Sequence, residues 1–291
     1  MTGPQAVPEP VPASRPLRSV RELVDRTLAA FLADRRAELA AMDPGAAVLV
    51  DEMVRLLEAG GKRIRPALCV WAFRAAGGTR DEIAVRAGAA LELLHTFALV
   101  HDDVMDRSEH RRGVAATHVR FAREAPPGAD PEAFGAAVAV LVGDLAAVLA
   151  ERLLGSCGAE DARLARARSR FDRMRTEMAA GQLLDLAGGA PPERVATLKT
   201  GSYTAEGPVS IGSALAGAGP ALEGPLQVYA GLLGPAFQLR DDVLDRDASP
   251  GAAGQVNEMV ARAVRALDAA PLEPEARRAL VELARLLELE G

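Results

Sequence analysis

Aromatic side chains are scarce in this sequence: Phe, Trp and Tyr together make up 3% of 291 residues. A core so poor in large rings has to be filled mainly by Ala and Leu, which favours close helix–helix contact over sheet. Strand signals are nearly absent as well. There is no Asn-Gly or Asp-Gly hairpin dipeptide, and no long stretch alternates with a period of two. Gly-x-Gly-x-x-Gly and P-loop patterns are missing. The two cysteines, Cys69 and Cys157, lie far apart in apolar helical context, which excludes a disulfide framework or zinc spacing and predicts buried free thiols. The N-terminus has no basic segment followed by an apolar stretch, so no secretory signal is read there. No run of eighteen or more apolar residues suggests a membrane span. A soluble, cytoplasmic protein is the simplest expectation. The net charge of −6 speaks against a general nucleic-acid binder, whose affinity rests on a basic surface.

What is present is helix. The chain is 49% hydrophobic, enough for a substantial core. Residues 1–16 carry Pro4, Pro8, Pro10, Pro12 and Pro16 and read as a disordered tail. From Ser19 onward, apolar residues recur at three- and four-residue steps. The predicted helices then run over 46–59, 66–76 (opened by Pro66), 81–106, 131–155 (capped by Asp130), 160–187, 192–204, 207–217, 223–245, 252–269 and 273–289. The expected fold is a single all-α domain over 17–291, with helices packed around a central cavity.

Two acidic clusters of one design stand out, Asp102-Asp103-Val104-Met105-Asp106 and Asp241-Asp242-Val243-Leu244-Asp245. Each ends an apolar helical run. Residues four apart share a helix face, so Asp102 stacks on Asp106 and Asp241 on Asp245. Like charges stacked this way destabilise a bare helix. Mg²⁺ supplies a reason for them, because it binds through a few carboxylates and shares its other positions with water and substrate phosphates. One such cluster alone reads more simply as a solvated helix end. Two copies set among Leu, Val, Ala and Phe do not.

Basic groups follow the same logic. Arg111 and Arg112 come shortly after the first cluster, and arginine's planar fork suits phosphate oxygens. Gly60-Gly61-Lys62-Arg63-Ile64-Arg65-Pro66 places Lys62 and Arg65 at the mouth of an apolar helix, where glycines free the backbone and helix N–H groups attract anions. His95 lies seven residues before Asp102, two turns along the same face.

The series GGKRIRP, HDDVMDRSEHRRG, GQLLDL, LKTGSYT and FQLRDDVLD resembles, in order, the motifs of trans-isoprenyl diphosphate synthases (polyprenyl synthetases) over residues 46–247. The resemblance implies an all-α homodimer that condenses isopentenyl diphosphate with an allylic diphosphate. By position, Asp102 and Asp106 would bind Mg²⁺ with Asp103 in support, and Asp241 would bind another ion with Asp242 and Asp245 nearby. Three Mg²⁺ ions are implied with substrate bound. Arg111, Lys199, Thr200 and Gln238 would contact the allylic diphosphate. Lys62, Arg65, His95 and Arg112 would hold isopentenyl diphosphate, and Gln182 and Asp185 would lie near the metals. A bulky Phe97 five residues before Asp102 resembles enzymes that stop at a C20 product, geranylgeranyl diphosphate. Farnesyl diphosphate synthase, a class I terpene cyclase and a non-catalytic partner subunit are the alternatives.

The resemblance fails in two places. No lysine occurs after Lys199, whereas the family carries a Gly-Lys loop beyond its second acidic cluster. The connection at 188–191 and the stretch 248–254 are short for the family. Either the protein lacks these pieces, or the sequence omits mobile lid segments. The second explanation is preferred here, because active-site lids are commonly mobile.

Overall fold

The computed structural model describes residues 14–244 and 250–289, apart from the side chains of residues 192 and 193. Twelve α-helices are described: α1 Arg15–Met42, α2 Val48–Glu58, α3 Ile64–Ala75, α4 Asp81–Met105, α5 Thr117–Ala122, α6 Pro131–Gly155, α7 Asp161–Ala187, α8 Pro192–Ala196, α9 Gly207–Ala216, α10 Pro220–Leu244, α11 Ala252–Ala266 and α12 Pro274–Arg285. The all-α expectation holds. The core is built from small and branched aliphatic residues, with few rings such as Phe171 and Tyr229 at its centre.

The helix ends have local causes. Asp130 caps α6, its carboxylate accepting from the Glu132 and Ala133 backbone N–H groups. The Gly77-Gly78 pair follows α3, with Gly77 at φ 85°. Between α7 and α8, Gly188 and Gly189 both take positive φ, so the short 188–191 connection is a tight turn. Helix α3 begins two residues ahead of Pro66, which the sequence placed at its start.

Three expectations need correction. Helix α1 starts at Arg15 and Pro16 is buried, its carbonyl accepting from the Trp71 indole N–H at 3.1 Å. The tail therefore stops short of 16, and residues 1–13 lie outside the described part. The segment expected as helix over 192–204 is α8 followed by a π-helical stretch, Thr197–Glu206. A hairpin and a short helix were not foreseen. Strands β1 His110–Arg111 and β2 Val114–Ala115 pair antiparallel around Arg112-Gly113, and α5 follows. Both turn residues have positive φ (53° and 78°), the pattern of a two-residue primed turn. Helices α4 and α6 are long and apolar enough to cross a membrane by length and composition, but α4 has 72% of its most apolar window buried inside the protein and α6 44%, as core helices do.

The π-helical stretch matters most for the site. It is wedged between α7 and α10 by glycines. A Cβ on Gly181 would sit 2.3 Å from the Lys199 backbone nitrogen, and one on Gly234 would sit 2.9 Å from Gly201. Only hydrogen at those positions lets the three backbones meet.

Candidate active site

Helix α4 delivers the first acidic cluster, and the three aspartates have different surroundings. Asp103 is buried and faces the hairpin, where Arg111 Nε donates to it at 2.9 Å and Arg111 Nη2 at 2.5 Å. Burial pushes the Asp103 carboxyl up, and Arg111 offsets only part of this. Asp102 Oδ1 is buried and accepts no hydrogen bond, although Lys199 Nζ lies 3.3 Å away. Asp106 is pushed up by burial and by the like charges of Asp102 and Asp185.

Lys199 comes from the π-helical stretch and bridges two walls. Its Nζ donates to Asp185 Oδ2 on α7 at 2.6 Å while facing Asp102 on α4. Burial works against its charge, but the two carboxylates outweigh burial and hold the ammonium above its usual range. Gln182 Nε2, one turn before Asp185, reaches Met105 Sδ at 3.6 Å. Thr200 is half-buried next to Lys199.

The second cluster ends the described part of α10. Asp241 is exposed and has Arg240 Nη1 3.8 Å away. Asp242 accepts from Gln238 Nε2 at 2.8 Å. Asp245 lies outside the described residues. The π-helical stretch links the two clusters: Lys199 meets Asp102, and two residues on Gly201 meets Gly234, one turn before Gln238.

A second group of cations sits around His95. Arg112, at the tip of the hairpin, donates from Nη2 to His95 Nε2 at 3.4 Å and from Nη1 to the Gly60 carbonyl. With Nε2 accepting, the proton belongs on Nδ1, which lies 3.4 Å from the Tyr203 hydroxyl. Burial and the positive field of Arg65, Arg112, Arg111 and Arg63 hold the His95 pKa well below its ordinary value, so the ring is neutral. Arg65 stacks 4.2 Å over the Tyr203 ring and donates from Nη2 to Thr204 at 3.0 Å. Lys62 is exposed beside them.

Sequence reasoning missed several of these participants. Tyr203 and Thr204 stand inside the LKTGSYT motif, where spacing alone marks neither as a contact of Arg65 or His95. Arg63 is buried and left-handed (φ 55°), and it bonds Asp25, Glu92 and the Leu57 carbonyl, which fixes the loop bearing Lys62 and Arg65. Phe97 is half-buried and packs edge-on against His101, 4.7 Å between centroids. His101 in turn rests on α6 at Val140 and Gly143. Ala98, a full turn before Asp102, lies more directly beneath it than Phe97 does.

The residues fit a divalent cation shared with a ligand. Asp102, whose buried Oδ1 faces the Lys199 ammonium without a well-formed hydrogen bond, and Asp106, raised by burial and by like charge, are what a hard cation would satisfy. Among the described residues, no group of three His, Cys, Asp or Glu side chains could hold a metal ion. Mg²⁺ bound jointly by protein and phosphate does not need one.

A sequence model of the family described as polyprenyl synthetase matches residues 47–259. The geranylgeranyl diphosphate synthase of Methanosarcina mazei is 34% identical over 209 residues, covering 69% of this chain and 60% of that protein. The octaprenyl diphosphate synthase of Escherichia coli is 34% identical over 200 residues, covering 66% of this chain and 56% of that protein. The chain thus spans 60%, 63% and 57% of three curated relatives it matches. Among solved structures, a geranylgeranyl pyrophosphate synthase from Corynebacterium glutamicum, complexed with isoprenyl diphosphate and magnesium, superposes with a TM-score of 0.85 at 27% identity, covering 93% of this chain and 98% of that one. Fold, ordered motifs and sequence relatives agree: the chain belongs to the polyprenyl synthetase family.

Proposed function

We propose that this protein is a Mg²⁺-dependent prenyltransferase that condenses isopentenyl diphosphate with an allylic diphosphate, releases pyrophosphate and makes geranylgeranyl diphosphate. One observation carries the reading: two separate cationic groups flank one acidic wall. Arg111 and Lys199 lie against Asp102, Asp103 and Asp185, while Arg65 and Arg112 form a second group around the neutral His95. Two diphosphate substrates need two such groups. A terpene cyclase needs one, and a non-catalytic subunit needs neither.

In this reading Asp102 and Asp106 on α4 and Asp241 on α10 would hold Mg²⁺, three ions in all with substrate. When bound, the metal supplies positive charge to the diphosphate that departs. Arg111, Lys199, Thr200 and Gln238 bind the allylic diphosphate and stabilise the charge developing on it. The C–O bond breaks with its electron pair passing to pyrophosphate. Lys62, Arg65, His95 and Arg112 hold isopentenyl diphosphate so that its double bond attacks the allylic carbon. The new C–C bond forms, and a proton passes to the departing pyrophosphate. His95 serves as a neutral hydrogen-bonding group between Arg112 and Tyr203. Apolar helix walls keep water from the cation.

The reading extends to a homodimer. Val140, Leu141 and Val148 expose one apolar face of α6, and a second copy would cover it. The names of curated relatives range from geranylgeranyl to octaprenyl diphosphate synthases, so product length is the finer part of the proposal. Incubation with Mg²⁺, farnesyl diphosphate and labelled isopentenyl diphosphate tests it. Labelled geranylgeranyl diphosphate is expected. A hydrocarbon, or no turnover, would overturn the reading.

A further inference from the structure

We infer that Glu52 is a positioning residue for the diphosphate-binding arginines: its buried carboxylate fixes the hairpin that presents Arg111 and Arg112. This rests on the prenyl-transfer reading above.

Glu52 lies on α2, outside every motif singled out in the sequence, and is fully buried. A carboxylate placed there is costly unless its oxygens are paired and hydrogen-bonded. Here they are. Arg55 donates through Nε at 2.8 Å and Nη2 at 2.6 Å, Thr117 Oγ1 donates at 2.8 Å, and Arg120 Nη1 donates as well. These contacts and charges outweigh burial and hold the Glu52 carboxyl below its ordinary range.

The partners all border the hairpin. Thr117 and Arg120 belong to α5, which begins two residues after β2. Arg55 Nη2 also donates to the Ala115 carbonyl of β2 at 2.9 Å. The Ala116 N–H donates to the Glu109 carbonyl at 2.9 Å and closes the hairpin base. Glu52 therefore ties the outgoing strand and the next helix to α2. The same α2 leads into Gly60, whose carbonyl receives Arg112. Base and tip of the hairpin are thus referenced to one helix.

The tip needs such support. Arg112 occupies the left-handed region, at φ 53° and without glycine's freedom, and such a conformation persists only where surrounding contacts determine it. With the base loosened, the turn can relax, and Arg111 and Arg112 lose their common orientation. Well-packed apolar residues could replace a buried ion network if stability were its only role.

Steady-state kinetics of the full chain and of Glu52→Gln, with both diphosphates varied and melting temperatures recorded, test the inference. Glu52→Gln keeps the shape but removes the charge. We expect KM for both substrates to rise on the order of 10- to 100-fold, with a smaller change in kcat, and Glu52→Asp to recover part of the loss. A purely structural role would lower the melting temperature and the active fraction but leave both KM values unchanged, which overturns the inference. If Glu52→Gln fails to fold, Arg55→Lys decides. It keeps the charge but loses the fork that reaches Ala115, and it should show the same KM pattern. An inactive wild-type protein would instead refute the prenyl-transfer reading. An active wild type with unchanged KM values in the variants refutes the positioning role alone.

Discussion

The two acidic clusters share a sequence pattern but differ in their surroundings. On α4, Asp103 is buried under Arg111, Asp102 faces Lys199, and Asp185 closes the group from α7. On α10, Asp241 is exposed, Asp242 has Gln238 from its own helix, and the described segment stops at Leu244. The first cluster is assembled by three distant segments before any ligand arrives. Among the described residues, the second cluster draws on Arg240 and Gln238 of its own helix. One motif is therefore held in two ways: the first wall is preorganised by the hairpin, the π-helical stretch and α7, whereas Asp241 of the second is exposed.

That asymmetry can be broken by mutation. Asp102→Asn should lower kcat on the order of 1000-fold, the scale of losing one preorganised electrostatic group at a reacting centre. Asp241→Asn should cost less, about 10- to 100-fold, and should recover partly at raised Mg²⁺. Measuring kcat for both across a Mg²⁺ titration checks the ranking, and the reverse order would remove the comparison. Phe97→Ala should lengthen the product, read by chromatography of the dephosphorylated prenols. Its lateral packing on His101 makes Ala98 the instructive partner, since enlarging Ala98 should shorten the product more directly.

Smaller effects sharpen the picture on the isopentenyl side. Tyr203→Phe removes a hydroxyl beside His95 and should raise KM for isopentenyl diphosphate about 2- to 10-fold, the worth of one ordinary hydrogen bond. His95 itself gives a pH signature in stability. Its folded pKa is depressed, so both states are neutral above the ordinary value of 6.5. Below it the unfolded chain takes up a proton that the folded chain refuses. Stability therefore falls as pH drops below 6.5, by at most about 1.4 kcal/mol per pH unit for this one group. His95→Asn should flatten that part of the profile in denaturant melts at several pH values.

Much of this was legible in the sequence, because it was local. Aspartates four apart and a histidine seven before them are placed by helical geometry alone, and α6 runs over 131–155 as its apolar pattern and Asp130 cap indicate. What escaped is non-local. The hairpin has two-residue strands and an Arg-Gly turn, so it carries neither alternation nor a usual turn dipeptide. The π register at 197–206 is bound up with the close approach of Gly181 and Gly234, which lie far apart in sequence. Glu52 reads as one charge among many on α2, because its partners Thr117 and Arg120 come 65 and 68 residues later.

Calorimetric titration of pyrophosphate into the protein, with and without Mg²⁺, tests the central claim most directly, since it asks whether the two walls hold one metal–diphosphate group. The account expects tight binding only with Mg²⁺, lost in Asp102→Asn and weakened in Asp241→Asn. Equal affinity without the metal, or indifference to both substitutions, would contradict it.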